Sequence, residues 1–508
     1  MSKRFERFFW GFFASIGGTI FLQITTLLAT PLYLDYTSQE IYGMWLILIS
    51  IFGWLQFGDM GIGMSLTKRS IEALEKNDYE LLTKYFYAAL ISFTLIGFIF
   101  GLIGLGFYYK IDTLFNIDNS NQDIFKKAFL FLILAGFLSP VSKIFSSIIE
   151  SHQRIAFLKV SSTLISFFSI IITLILLSVN FGLLSFVFGI FLKVLLTPIV
   201  EFFFLKKIDA HFNLSLRYPT KKEFFDLLSF GGKFQILKIA NMVTTNVDYI
   251  LIGVFLSSSL VSVYTFSSKL AILFCIGLMS LLPSVLFPGL SQLFELNDHK
   301  KIKNVYYIIT KLSLRVGILF SIIFYSINEP FVNLWVGKEN FGGDLLTYIF
   351  VFWILIECYL RGITAIIYAS GKIGKLTIYS IVEAVFNVFL TIYLINKFQL
   401  PGVAAGTLIS RIVTLFFIPY FINKLISVNF LHFFNINLNV LIHSLPTVII
   451  GIIVKHSFFR LYSDIYYILI SGLIIVITNF IFFELLHLIK QKKSNSILVN
   501  LKNYYLNL

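Results

Sequence analysis

Five polar side chains recur at steps of three and four along one otherwise apolar stretch: Gln235, Lys238, Asn241, Thr245 and Asp248. On a helix they share one face, and that face is roughly 20 Å long at the usual helical rise. An ammonium, a carboxylate and three neutral hydrogen-bonding groups in line suit a wet cavity that handles a charged solute. A milder face runs through Thr19, Gln23, Thr26 and Thr30. Glu357, Arg361, Thr364 and Tyr368 form another, with the Glu four residues before the Arg, the favourable order for an ion pair. Ser380, Glu383, Asn387 and Thr391 form a fourth, and Lys143, Lys193, Lys269, Arg315 and Arg411 stand as single charges within apolar runs.

What gives these residues meaning is cost. A charge at the centre of a bilayer costs from about 2.5 kcal/mol on insertion scales to over 10 in simulations, so it faces a partner or a wet cavity. Plainer readings stand beside this one. Lys193 and Arg411 can snorkel to a headgroup, and Glu357–Arg361 serves equally as a structural bridge within one helix. Isolated Ser and Thr residues commonly bond their own backbone or glue neighbouring helices. The five-residue face around Lys238 and Asp248 is the hardest to reduce to packing.

Chemistry of other kinds finds no residues. The seven histidines are scattered without ligand spacing, and Cys275 and Cys358, the two cysteines, both lie in apolar runs, so neither a metal site nor a disulfide framework is expected. No cofactor is expected, and the chain does not read as an enzyme. Gly58-Asp59-Met60-Gly61-Ile62-Gly63 is glycine-rich but has no Lys-Ser/Thr ending and follows no strand, which argues against a phosphate loop. Asp59 there reads as the anchor of a bend or the partner of a nearby cation.

The elements that must position these groups are membrane helices. The chain has 508 residues, 57% hydrophobic and only 13% charged, with a mean hydropathy of +0.87. An apolar run of about 20 residues crosses the roughly 30 Å hydrocarbon core as a helix, because a helix satisfies its own backbone where water is absent. Roughly fourteen such runs are present: 8–34, 41–66, 83–108, 125–150, 156–180, 182–207, 224–256, 260–293, 304–326, 344–369, 375–396, 402–424, 436–456 and 463–489. The net charge of +14 belongs to membrane orientation rather than to nucleic acid, because blocks such as Lys300 to Lys303 abut spans.

Lys and Arg gather on every second connection (Lys68 and Arg69, Lys206 and Lys207, Lys221 and Lys222, Lys372 and Lys375), which predicts that both termini are cytoplasmic. The polar linker 208–223 divides a first six-helix lobe, 1–207, from a second, 224–424, with helices 13 and 14 and a basic tail over 425–508. The expected architecture is an all-α polytopic protein of two six-helix lobes plus a C-terminal helix pair. A shift of about 222 residues lays Tyr42 on Tyr264, and Thr19, Gln23 and Thr26 on Asn241, Thr245 and Asp248. Six spans per half would set such a repeat about the membrane normal. Pro31, Pro140, Pro198, Pro283, Pro288 and Pro419 lie in or beside spans and predict kinks.

Three stretches carry a family resemblance. Tyr42-Gly43-Met44-Trp45, then Phe57-Gly58-Asp59-Met60-Gly61-Ile62-Gly63 and Lys68-Arg69, opens the first half. Leu227-Leu228-Ser229-Phe230-Gly231 through Asp248 to Tyr264 opens the second. Ala369-Ser370-Gly371-Lys372 leads on to Glu383-Ala384-Val385-Phe386-Asn387 and Gly402-Val403-Ala404-Ala405-Gly406. In order and spacing they resemble the Wzx-type O-antigen flippases, polysaccharide exporters of the multidrug/oligosaccharidyl-lipid/polysaccharide superfamily. Met60 replaces a commoner Leu.

The resemblance implies two lobes around a central cavity and alternating access. It implies transport of undecaprenyl-pyrophosphate-linked oligosaccharide, an O-antigen or other surface polysaccharide unit for lipopolysaccharide or a related glycan, across the bacterial cytoplasmic membrane. It further implies H+ or Na+ as counter-ion, the lipid bilayer as surroundings and polysaccharide polymerase machinery as a partner. Combined with the polar faces, it nominates Lys238 and Lys269 for head-group contact, then Lys143 and Arg361, with Gln235, Asn241, Thr245 and Gln23 lining the path. Asp248, Glu357 and Asp59 would tune those charges or carry the coupling ion. A multidrug antiporter of the same superfamily should favour an acidic, aromatic cavity, whereas these candidates lean basic. A lipid-linked peptidoglycan precursor flippase fits the Tyr42 to Gly63 stretch less well. A glycan polymerase or ligase would need a larger outward loop than any present.

Overall fold

The computed structural model describes residues 3–56, 61–209, 212, 217–456 and 464–491, and among these every regular element is helical. In order they are α1 (Lys3–Tyr36), α2 (Gln39–Gln56), α3 (Ile62–Glu75), α4 (Tyr79–Tyr108), α5 (Ile111–Leu114), α6 (Gln122–Ser151), α7 (Ile155–Ser178), α8 (Leu183–Ile208), α9 (Lys221–Phe255) and α10 (Ser258–Ile272). Then come a π turn (Leu273–Leu278), α11 (Leu281–Glu295), α12 (His299–Val336), a 3-10 turn (Lys338–Asn340), α13 (Asp344–Ala369), α14 (Ile373–Ile426), α15 (Phe430–His456) and α16 (Asp464–Gln491). Eleven helices among the described residues are long and apolar enough to cross a membrane. The chain is a polytopic all-α membrane protein.

Local chemistry sets the ends of these helices. Asp78 caps α4 by accepting from the Leu81 amide at 2.9 Å, and Asp298 caps α12 through the Lys301 amide at 3.0 Å. Thr220 and Glu223 form a capping box that starts α9. The second expected span is not one continuous helix: α2 is described as far as Gln56, and Gly61, with φ at 76°, opens a separate helix α3 that carries Lys68 and Arg69. Asp59 lies outside the described residues. The eighth expected span is interrupted by the π turn. Pro283 has no N–H to give the Met279 carbonyl, and the Leu282 amide bonds that carbonyl instead, at 3.3 Å.

α14 is two helices. Gln399 has φ 52° and ψ −131°, outside helical space. A Cβ on Gly402 would lie 2.2 Å from the Leu394 carbonyl, and one on Gly406 2.8 Å from the Thr391 Cα. Asn387 reaches Thr407 and Ser410. Partners descend along one limb as they ascend along the other, so the two limbs form an antiparallel hairpin. Gly402 and Gly406 are small because backbone passes where their Cβ atoms would be.

Helix packing divides the chain into two compact units, Met1–Thr265 with Gly374–Ser410, and Phe266–Ile373 with Arg411–Leu508. In the first, α1 packs on α7, α6 on α4 and α8, and α9 on α2, α3 and α4. Arg69 of α3 meets Asp226 of α9 at 3.3 Å, and the Tyr85 hydroxyl of α4 donates to the same carboxylate at 3.0 Å. In the second unit α12 packs on α13, α15 and α16. Lys455 of α15 is buried between the Tyr325 and Tyr348 rings, its ammonium 3.3 Å from Asp344. Cys275 and Cys358 are both buried and free, with sulfurs 3.5 Å apart.

The Tyr42-Gly43-Met44-Trp45 stretch has a packing explanation inside the first unit. Trp45 stacks on Phe186 of α8, and Tyr42 meets the same ring edge-on. Ser262 of α10 donates to the Gln39 carbonyl at 2.8 Å. Between those contacts, a Cβ on Gly43 would sit 1.8 Å from the Ser258 carbonyl oxygen. Backbone, not a flexible side chain, blocks the space. Gly43→Ala should therefore cost about 1–3 kcal/mol, the usual penalty of an overpacked core. A lower melting temperature in detergent checks this; an unchanged one means α2 and α10 can separate without loss.

Candidate functional site

The carboxylate of Asp248, near the end of α9, is 6% exposed. It accepts from the Tyr264 hydroxyl of α10 at 2.7 Å and from the Thr407 hydroxyl of α14 at 3.1 Å. Asn387, fully buried on the other limb of α14, donates to Thr407 at 3.1 Å and to Ser410 at 3.3 Å. One carboxylate thus joins α9, α10 and both limbs of the α14 hairpin. The Asn387 carbonyl oxygen and the Thr391 hydroxyl are also buried there, with no hydrogen-bond partner among the described residues. Unmet buried oxygens are expensive. A carboxylate, hydroxyls and an amide oxygen are hard donors that suit a small hard cation or a proton, not a soft metal.

A second node lies in the other unit. Glu357 of α13 is 1% exposed, and its two oxygens take two guanidiniums: Arg361 Nε at 2.5 Å and Arg411 Nε at 2.6 Å. Arg361 stands one turn along the same helix, as its spacing predicts. Arg411 comes from the second limb of α14. A single carboxylate therefore ties two helices together and holds two permanent cations within apolar elements.

The remaining predicted residues are spread out. Gln235, Lys238 and Thr245 lie on α9, and their side chains fall outside the described residues, as does Asp59. Asn241 is exposed on α9, and Gln23 is half-buried on α1. Lys143 and Lys193 are exposed on α6 and α8. Lys269 is half-buried at the end of α10 with no acidic partner among the described residues. Two further participants had weak signals. Thr407 is an ordinary span threonine, and only its position after Gly406 hints at a role. Glu201 of α8, buried and accepting from Ser146 at 2.8 Å and 2.9 Å, is an acidic residue in an apolar run that the charge inventory passed over.

The family described as Polysaccharide biosynthesis protein matches residues 9–294, more than half of the chain. The chain belongs to that family. No curated protein matches the sequence. Among solved structures, it is similar to the lipid II flippase MurJ in an inward closed conformation, with a TM-score of 0.71 and 20% identity over 92% of this chain and 98% of that one. An inward-facing multidrug resistance MATE family transporter of the MOP superfamily gives 0.61 and 14% over 80% and 94%. A Vibrio cholerae MATE transporter gives 0.54 and 12% over 85% and 99%. These likenesses establish a shared fold.

For this member of the polysaccharide biosynthesis protein family, the Glu357 node makes a stability prediction. Breaking a buried ion pair by removing one partner costs about 3–5 kcal/mol, because the other charge is left uncompensated. Glu357→Ala should strongly lower the yield and melting temperature of purified protein. Glu357→Gln, which keeps acceptor oxygen but drops the charge, should lose less. Equal melting of all three proteins would show that the guanidiniums do not depend on this carboxylate.

Proposed function

We propose that this protein flips undecaprenyl-pyrophosphate-linked oligosaccharide, an O-antigen or another surface polysaccharide repeat unit, across the bacterial cytoplasmic membrane by alternating access. In this reading fourteen spans form two six-helix lobes, 1–207 and 224–424, with a terminal helix pair, and both termini are cytoplasmic. The polymerase machinery that consumes the delivered unit is the proposed partner. Family membership supports lipid-linked glycan handling. The observation that carries the anionic head group is Lys269: an ammonium within a membrane helix, with no carboxylate beside it among the described residues. Such a cation is costly in hydrocarbon and becomes favourable when an anion visits.

Lys238, Lys143 and Arg361 are the other proposed contacts, and Gln235, Asn241, Thr245 and Gln23 line the path. Arg361 is a quarter exposed while Glu357 holds it in place, and a planar fork fixed in this way suits phosphate oxygens. The sugar chain crosses with the pyrophosphate, and the lipid tail stays in an apolar phase throughout.

Asp248 is the proposed coupling group. Its partners are neutral hydroxyls, so a proton or Na+ is the natural charge to balance it, and Asn387 and Thr391 supply unmet oxygens beside the same hairpin. Binding there would draw α9, α10 and α14 together, and release would loosen them.

Three experiments test the reading. Deleting the gene and extracting lipids should reveal accumulated undecaprenyl-linked repeat unit with loss of surface polysaccharide; altered drug resistance with normal glycan would favour a multidrug antiporter instead. Lys238→Ala and Lys269→Ala should each cut surface glycan at normal expression. Normal glycan from both variants would remove them from the path. Asp248→Asn should keep the fold, since the amide oxygen still accepts from Tyr264, yet abolish the dependence of transport on an ion gradient. Transport that still follows the gradient would exclude Asp248 as the coupling site.

A further inference from the structure

A cavity of about 580 Å³ lies within the first unit, between α2, α4, α6 and α9 and closed at one end by α5. Trp54, Ile96, Phe107, Leu114, Ile133 and Met242 are among its walls, and every lining residue is apolar. Ile99, Ile103 and Phe107 along α4 are each half exposed, at 55%, 50% and 54%, so the cavity is an open slot rather than a sealed void. From Ile96 to Phe107 the helix rises about 16 Å, roughly half of the 30 Å hydrocarbon core. The slot is one leaflet long.

The α5 end carries a cation: Lys110, exposed, directly precedes Ile111 of the wall and follows Phe107 of the wall by three residues, while Asp118 and Asp123 are exposed between α5 and the first turn of α6. α5 itself is pinned by Asp112, whose carboxylate meets Lys126 at 2.8 Å; that contact holds the Asp112 carboxyl below its ordinary range. In the orientation given by the loop charges, this end faces outward. An apolar slot of one leaflet's length with an ammonium group at its α5 end matches a single hydrocarbon chain that ends in phosphate.

We propose that the slot receives the polyprenyl chain of the lipid-linked substrate on the outward side, with the phosphate at Lys110. This rests on the flippase reading above. The choice of a polyprenyl over a phospholipid follows from the proposed substrate, whose single chain carries its phosphate at one end, as the slot carries Lys110 at one end of an apolar wall one leaflet long. The proximal isoprene units fill it, and the distal ones remain in the bilayer. Docked there, the delivered lipid is held by its tail while the sugar head is free for the next reaction.

The test uses the full chain in phosphatidylcholine vesicles with a diazirine-bearing polyprenyl phosphate. Photolabelling should map to α4 and α5, fall at least tenfold with excess undecaprenyl phosphate, and be little changed by the same excess of phosphatidylglycerol. Ile103→Trp, which fills the slot, should reduce labelling there at least fivefold at unchanged melting temperature. Should that variant fail to fold, Ile99→Trp on the exposed side of the slot takes its place. Lys110→Ala should weaken labelling about threefold or more. Labelling that is spread along the chain or indifferent to these variants overturns the proposal. Equal competition by phosphatidylglycerol also overturns it and makes the slot a phospholipid site. Accumulated lipid-linked glycan in the deletion strain, with no label in α4, fails the slot alone; label in α4 without accumulation fails the flippase reading and leaves the slot standing.

Discussion

No water is available to a polar side chain deep in hydrocarbon, so each one must find its partners inside the protein. That constraint organises both units. In the first, Asp248 has become the point at which α9, α10 and the two limbs of α14 converge. In the second, Glu357 does the same for α13 and the end of α14 through two guanidiniums. Apolar packing between membrane helices gains little over lipid, which is itself apolar, so polar nodes of this kind and close backbone approach at small residues set which helices touch. Gly43, Gly402 and Gly406 supply the close approach.

Such nodes are also what a transporter can move. A carboxylate satisfied by neutral hydroxyls responds to a proton or cation, whereas one satisfied by guanidiniums is already balanced. In the proposed mechanism the two nodes divide the work: Asp248 changes state, and Glu357 holds its two guanidiniums in place. Solved structures of a lipid flippase and of a multidrug transporter share this fold, and their scaffold is common to both tasks. In the proposed function the difference lies in which charges face the path, and the residues proposed for it here are Lys and Arg.

Much of this was readable along the chain. Long apolar helices announce themselves by composition alone, and the i, i+4 spacing of Glu357 and Arg361 named a bond that the structure contains. The polar face of α9 pointed to Asp248. What the sequence could not reveal is tertiary: Thr407 stands 159 residues from Asp248, and Arg411 stands 54 residues from Glu357. Local breaks were legible only in part. The Gly61 turn falls in the glycine-rich stretch that reads as a bend, whereas the π turn at Leu273–Leu278 has no compositional mark of its own. Glycine motifs read first as family signatures turned out to mark places where backbone passes at van der Waals distance.

The central claim is that the protein moves an anionic, lipid-linked oligosaccharide and that Asp248 couples the movement to a cation. Purified protein in liposomes carrying a fluorescent undecaprenyl-pyrophosphate oligosaccharide on one leaflet tests it directly, through the fraction of label that a membrane-impermeant quencher reaches over time. An imposed H+ or Na+ gradient should accelerate transfer in vesicles with the native protein and leave the rate in Asp248→Asn vesicles unchanged. Transfer at the protein-free rate with the native chain under either gradient, or transfer by Asp248→Asn that still follows the gradient, would contradict the account.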